Sequence, residues 1–90
     1  MSLVNTILSK IQSCGPSRGI KVLATTFVSS LDPDYKVPVR QMYLLDLENR
    51  KLVAQLLFFV ESKDYDYDEH LEAIDWLLNH DHYLFDIDEL

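Results

Sequence analysis

Residues 37–60 read VPVRQMYLLDLENRKLVAQLLFFV, and this stretch decides the fold that the sequence predicts. In its first part every second residue falls on one face, as in a half-buried strand. That face is formed by Val37, Val39, Gln41, Tyr43, Leu45 and Leu47. Residues 52–60 are apolar except for Gln55, which is typical of a central strand covered on both faces. Between the two runs lies Glu48-Asn49-Arg50, and asparagine tolerates the left-handed backbone of a tight loop. We therefore predict an antiparallel β-hairpin with its turn at Asn49.

The flanking sequence predicts one more strand and two helices. Apolar residues recur at three- and four-residue spacing from Leu3 to Ile11, which indicates an amphipathic helix that Gly15-Pro16 ends. Residues 19–29 alternate and are rich in Val, Thr and Phe, as in a half-buried strand. A second helix is predicted from Asp66–Asp68 to Asn79, because the acidic start suits the helix dipole. Its inward stripe is predicted to contain Leu71, Ile74, Leu77 and Leu78, with Tyr67 one turn earlier.

The resulting fold class is α+β, in the order α-β-β-β-α. It consists of a three-stranded antiparallel meander with both helices packed on one face. The tail from His82 to Leu90 alternates apolar and polar residues, which fits either a short fourth strand or an extended arm. We expect residues 1–90 to form a single domain whose last third, residues 61–90, is strongly acidic.

Composition limits the class of protein and its compartment. Hydrophobic residues make up 48% of the chain, which is enough for a core and argues against disorder. No run approaches 18 apolar residues, so no membrane span is expected. The N-terminus lacks a basic segment followed by an apolar one, so no secretion signal is expected. The one cysteine, Cys14, cannot form an intramolecular disulfide, and together these features predict a cytoplasmic protein.

The net charge of −7 is distributed unevenly. Residues 1–60 contain seven basic and four acidic side chains, whereas residues 61–90 contain eleven acidic side chains and one basic, Lys63. A local field of this sign repels nucleic acid and anionic lipid and attracts basic protein surfaces. The sequence therefore predicts a basic protein partner, and neither direct nucleic-acid binding nor membrane binding.

The predicted order of elements resembles that of the double-stranded RNA-binding domain. That resemblance implies basic residues at the start of the last helix, where the phosphates are contacted. Here the matching segment reads Asp64-Tyr65-Asp66-Tyr67-Asp68-Glu69, so the charge has the opposite sign. The resemblance is limited to topology, and RNA binding through this surface is not predicted.

Two spacings suggest metal ligands. Asp64, Asp66, Asp68 and Asp75 match positions one, three, five and twelve of an EF-hand calcium loop, but the glycine position holds Glu69. In an extended segment, His80, His82 and Asp86 would share a face and offer ligands of zinc type. Both spacings also arise on any acidic surface, and we predict no metal and no other cofactor.

Enzymatic activity is not predicted either. The chain shows no nucleophile–base–orienter set, and two glycines in all cannot form a glycine-rich phosphate loop. Cys14 as a nucleophile would need a neighbouring base. Its simpler interpretation is a small apolar residue at the end of a helix.

Carboxylates interleaved with aromatic residues can imitate the phosphate row of a nucleic acid. A protein of this kind occupies the basic cleft of a nuclease, repressor or surveillance complex. In size and charge the chain resembles the small acidic phage and plasmid proteins that block restriction or CRISPR complexes. We therefore predict a non-enzymatic inhibitor, a DNA mimic that docks on a basic partner through Glu61, Asp64, Asp66, Asp68, Glu69, Glu72 and Asp75.

Three alternatives stay open. A bacteriocin-type immunity protein would use the same electrostatics against a toxic nuclease. A homo-oligomeric structural or accessory domain would use the apolar sheet face, which is favoured if residues 56–60 are exposed. Finally, the acidic surface could serve only to keep a small domain soluble.

Overall fold

The computed structural model describes residues 2–32, 34–35, 37, 39–59 and 65–85. Across these ranges the chain forms four α-helices and two 3₁₀ helices: α1 (Leu3–Cys14), α2 (Arg18–Ser29), η1 (Val39–Leu44), α3 (Leu47–Phe59), α4 (Tyr67–Leu78) and η2 (Asp81–Tyr83). The same residues contain no strand, so the predicted α+β fold with a three-stranded meander is wrong.

The region predicted as the first strand, residues 19–29, is the central helix α2. The Ser17 hydroxyl oxygen accepts a hydrogen bond from the Ile20 amide and begins the helix. Burial extends around most of its circumference and includes Ile20, Val22, Leu23, Ala24, Thr25, Phe27 and Val28. The other helices that pack on α2 leave one narrow polar side, which carries Arg18, Lys21, Thr26 and Ser29 at helical spacing. The β-branched and aromatic residues of the segment, which favour a strand, outweighed this period in the prediction.

The predicted hairpin turn lies inside α3. The Asp46 carboxylate accepts a hydrogen bond from the Asn49 amide at 2.8 Å, which places residues 48–50 in the first helical turn. A continuous apolar run fits a buried strand and a helix equally well. The helix buries Leu52 and Leu56 and leaves Phe58 70% exposed, so the run does not lie between two covering layers.

The first strand of the predicted hairpin is replaced by η1 and the start of α3. Alternation had placed Tyr43, Leu45 and Leu47 on one face. Instead Leu45 is buried, while Tyr43 and Leu47 are 78% and 68% exposed. The 3₁₀ turns rotate successive side chains by about 120°, so an alternating sequence does not produce two faces here.

Both predicted helices are confirmed, with one correction. Gly15 ends α1 with φ of 72°, in the left-handed region that favours glycine. Asp66 caps α4, and its carboxylate accepts from the amides of Asp68 and Glu69. The inward stripe of α4 is rotated from the prediction, because the buried residues are His70, Ala73, Ile74 and Leu77. Of the tail predicted from His82 to Leu90 as a fourth strand or an extended arm, residues 82 and 83 belong to η2, and residues 86–90 lie outside the described residues.

The core is organised around a central pair of helices. α1 and α2 pack on each other, and each also packs against α3 and α4. Among the largest fully buried side chains are Ile7, Ile11, Leu23, Phe27 and Leu77. Within the described residues α3 and α4 make little contact with each other, so they flank the central pair.

In this part of the chain, none of the helices combines the length and the apolar composition needed to cross a bilayer.

Candidate protein-binding site

A groove of about 430 Å³ lies where the end of α2 meets the outer side of α4. Its apolar lining comes from Leu31, Leu71, Ile74 and Leu78, and its carboxylates are those of Asp32, Glu72 and Asp75. The groove therefore offers apolar contact and negative charge together, and none of the described residues that line it is basic.

Local structure places both walls of this groove. On α4 the lining residues recur at three- and four-residue spacing, which puts them on one side of the helix. The opposite wall is the turn that ends α2, where the amides of Leu31 and Asp32 donate to the Val28 carbonyl at 3.2 and 2.9 Å. The Asp32 carboxylate in turn accepts from the Asp34 amide at 3.0 Å, which orients it.

The groove continues into an exposed surface along α4. This α4 face consists of Tyr67, Asp68, Leu71, Glu72, Asp75 and Leu78, all of them exposed. Its three apolar side chains are 55%, 40% and 38% exposed in chain order. Large apolar side chains left exposed among polar ones are typical of an interaction surface.

The seven predicted site residues fall into three groups. Asp68, Glu72 and Asp75 are exposed on the α4 face, where a partner can reach them. Two have roles within the fold: Asp66 caps α4, and the half-buried Glu69 accepts a hydrogen bond from the Ser2 hydroxyl at the start of α1. The remaining two, Glu61 and Asp64, lie outside the described residues.

Sequence reasoning missed the apolar part of the site. It placed Leu71 and Leu78 in the core, whereas both are partly exposed and line the groove. The signal was available, because the apolar positions of α4 cover a wider arc than one buried stripe needs. For Leu31 and Asp32 no local signal exists, since they reach α4 only through the packing of α2.

His70 holds α4 against α2 beneath this face. Its ring is fully buried and stacks on the Phe27 ring, with the centroids 5.1 Å apart and the planes 8° from parallel. His70 Nε2 lies 2.9 Å from the Ser30 hydroxyl oxygen, and Nδ1 lies 2.9 Å from the Tyr65 hydroxyl. The Ser30 hydroxyl donates to the Phe27 carbonyl at 2.6 Å.

These bonds assign the protons of the neutral imidazole. Because the Ser30 proton is committed to a carbonyl, His70 Nε2–H donates to Ser30 and Nδ1 accepts from the Tyr65 hydroxyl. Burial lowers the pKa of His70 from its ordinary value of 6.5. Burial also raises the pKa of Tyr65, and the neighbouring Tyr67 and Asp66 charges add to that effect. An uncharged His70 can therefore make both hydrogen bonds while its ring stacks on Phe27 between α4 and α2.

The metal-ligand spacings are not brought together in the described part of the chain. Asp66 is used as a helix cap, and His80 Nδ1 donates to the Trp76 carbonyl at 2.8 Å while its ring stacks on the indole. Residues 2–32, 34–35, 37, 39–59 and 65–85 contain no group of three or more His, Cys, Asp or Glu side chains that could hold a metal. Asp64 and Asp86 lie outside these ranges. Cys14 is the last residue of α1, as predicted for a helix end, but it is exposed.

A second exposed surface lies on the opposite flank. This α3 face consists of Leu47, Arg50, Lys51, Ala54 and Phe58, which share one side of α3 and are all exposed. On this face, the Arg50 guanidinium donates to the carbonyl of the exposed Tyr43 at 3.4 Å. The nearby Glu48 carboxylate is paired with Lys10 of α1 at 2.9 Å, and this pairing raises the pKa of Lys10. The α3 face is therefore apolar and basic.

Comparisons of the chain with protein-family models, with curated protein sequences and with solved structures find no match. The function is therefore inferred from the chemistry of the groove and of the two faces.

Proposed function

We propose that this chain is a non-enzymatic protein-binding domain that inhibits a nucleic-acid-binding partner. It would do so by binding a basic segment with which that partner contacts nucleic acid. One observation carries the proposal: the groove beside α4 combines an apolar lining with the carboxylates of Asp32, Glu72 and Asp75. A basic amphipathic segment presents the complementary chemistry, with lysine or arginine side chains next to aliphatic ones.

The arrangement of charge on the α4 face supports a protein segment as the occupant. Asp68, Glu72 and Asp75 stand four and three residues apart, which is about 6 and 4.5 Å of rise along the helix. The phosphates of one DNA strand are closer, at about 3.4 Å of rise each. The apolar side chains between the carboxylates have no counterpart in a phosphate row.

The proposal therefore refines the idea of a DNA mimic. The carboxylates attract the basic residues with which the partner would contact phosphates, and Leu71 and Leu78 add apolar contact that DNA does not offer. A helix lying in a groove, with anchors at successive turns, is a recurrent mode of such recognition. A toxic nuclease bound by an immunity protein would present the same chemistry.

Nuclear magnetic resonance with a designed probe tests this proposal. The probe is a synthetic amphipathic helical peptide of 18 residues with leucines on one face and lysines on the other. We expect amide shift changes confined to residues 31–32 and 67–78. Affinity should fall steeply as the Debye length shortens from about 30 Å at 0.01 M salt to about 8 Å at 0.15 M. A peptide in which glutamates replace the lysines is the control and should not bind.

A matched pair of variants assigns the binding to the groove. Glu72→Gln/Asp75→Asn should weaken peptide binding by about 1–2 kcal/mol, or roughly 5- to 30-fold, at half to one kcal/mol per exposed charge. Asp34→Asn/Asp81→Asn removes the same charge from exposed positions that do not line the groove and should change affinity less than about twofold. If both variants bind like the parent, the acidic surface is a solubility device and the proposal fails. Binding to a duplex DNA oligonucleotide would also contradict it.

A further inference from the structure

We propose that the α3 face of one copy of this chain docks on the α4 face of a second copy, which gives a head-to-tail association. This inference goes beyond the proposed function and rests on it in one respect, namely that the α4 face accepts a basic, apolar segment. The chain itself carries such a segment, in α3.

The two faces cannot meet within one copy. α1 and α2 pack between α3 and α4, and the outer sides of these flanking helices point away from the shared core. Both faces nevertheless expose large apolar side chains, including Phe58 at 70% and Tyr67 at 55%. The apolar area that these described side chains expose is the first reason to expect contact with another molecule.

Charge complementarity identifies the second copy as the occupant. The α3 face carries the guanidinium of Arg50 and the ammonium of Lys51, whereas the α4 face carries three carboxylates. Neither face can pair with itself without bringing like charges together, and that juxtaposition is unfavourable. Pairing α3 with α4 brings opposite charges together around apolar centres.

The dimensions of the two faces also match. Leu47 to Phe58 and Tyr67 to Leu78 each span eleven residue steps, or about 16 Å at the rise of an α-helix. In an antiparallel arrangement of the helices the apolar ends coincide, with Leu47 on Leu78 and Phe58 on Tyr67.

The interior of this arrangement is complementary as well. With the ends aligned in this way, Arg50 lies opposite Asp75, and the small side chain of Ala54 lies opposite Leu71. A small residue facing a large one lets two helices approach closely. We infer this antiparallel register from the sequence positions and from the exposure of the side chains.

The geometry has a consequence for regulation. Each copy offers one α3 face and one α4 face, so the contact is heterologous and can extend to rings or open chains. Self-association also covers the groove, so a basic partner and a second copy would compete for the same site. One helix packed on another is a small interface, and we expect a weak, salt-sensitive association with a dissociation constant on the order of 10–1000 μM.

Sedimentation velocity on the full chain, with two matched variants, tests the inference. Arg50→Ser/Phe58→Ser removes one charge and one exposed apolar group from the α3 face, and Asp75→Asn/Leu78→Ser removes the same kinds of group from the α4 face. Circular dichroism melting curves verify that both variants fold. The parent should associate with increasing concentration, and each variant alone should associate at least tenfold more weakly. An equimolar mixture of the variants should form a 1:1 dimer and nothing larger, since one intact pair of faces remains.

Three outcomes would overturn the inference: a parent that stays monomeric at 1 mM in low salt, an α4-face variant that still self-associates alone, and a mixture that stays monomeric. The α3-face variant separates this result from the proposed function, because its α4 face is intact and it should still bind the leucine–lysine peptide. If that variant does not bind the peptide while the parent self-associates, the proposed function fails and the self-association stands. If it binds the peptide while the parent stays monomeric, the reverse holds.

Discussion

α3 and α4 flank the same central pair of helices, but they are held by different means. α4 contributes a full stripe to the core, and that stripe includes a hydrogen-bonded histidine stacked on Phe27. α3 buries little besides Asn49, Leu52 and Leu56 among the side chains described. On their outer sides the two helices expose similar apolar groups with opposite charge. The comparison teaches that attachment to the core and chemistry of the exposed face are set independently, by different sides of each helix.

The largest expected change in stability comes from replacing one buried leucine on each helix. Leu77→Ala on α4 removes a fully buried side chain and should lower the free energy of unfolding by about 3–5 kcal/mol. Leu52→Ala on α3 removes a side chain that is 9% exposed and should cost about 2 kcal/mol. Urea unfolding followed by circular dichroism measures both. Equal losses would mean that α3 is held as firmly as α4.

The second test uses pH, because only α4 is anchored by a buried titratable ring. The folded state holds His70 neutral with a lowered pKa, whereas the unfolded chain takes up its proton near the ordinary value of 6.5. Stability from this group is therefore fully present above pH 6.5 and is lost as pH falls from 6.5 toward the lower pKa of the folded state. The loss amounts to about 1.4 kcal/mol for each unit by which the pKa is lowered.

Unfolding in urea between pH 7.5 and 5.5 measures this dependence. His70→Gln should flatten the pH profile, even though the variant is less stable overall. The control is His82→Gln, an exposed position, and it should leave the profile unchanged. A parent and a His70→Gln variant with the same slope would show that another group is responsible.

The third test concerns the helix starts, where the two flanking helices are alike. Asp66 accepts amide hydrogen bonds at the start of α4, and Asp46 does so at the start of α3. Replacing either with alanine should cost about 1 kcal/mol of unfolding free energy. Asp34→Ala, at an exposed position outside any helix, should change it by less than about 0.5 kcal/mol. Thermal melts of the three variants give the comparison, and a neutral Asp66→Ala would mean that the cap is not needed.

The smallest expected effects belong to the outer faces themselves. Glu72→Gln/Asp75→Asn and, separately, Phe58→Ser should each change the free energy of unfolding by less than about 0.5 kcal/mol, because these side chains are exposed. The same substitutions are expected to change binding and self-association. A loss above 1 kcal/mol in either variant would show that its face contributes to the fold and is not a free surface.

The helices that the sequence predicted correctly are those with one buried side and clear ends. α1 has a periodic apolar stripe and ends at a glycine with positive φ, and α4 begins at an aspartate cap. Local hydrogen bonds of this kind need only neighbouring residues, so a sequence states them directly. The start of α3 has comparable features, a capping Asp46 and an acidic Glu48 in the first turn. The prediction gave more weight to Asn49, which was interpreted as the turn of a hairpin.

By itself, the sequence determined α1, α4 and the concentration of carboxylates on residues 61–90, because capping, periodicity and charge are local properties. Residues 18–29 carry a helical period in Arg18, Lys21, Thr26 and Ser29, but their β-branched residues favour a strand, so the local signals conflict. Only the tertiary structure decided that this segment is a helix buried around most of its circumference. Tertiary structure also decided the site. It rotated α4 to bury His70 and expose Leu71, and it brought Asp32 to a helix that begins 35 residues later in the chain. Packing on a shared core sets these positions, and no short segment contains that information.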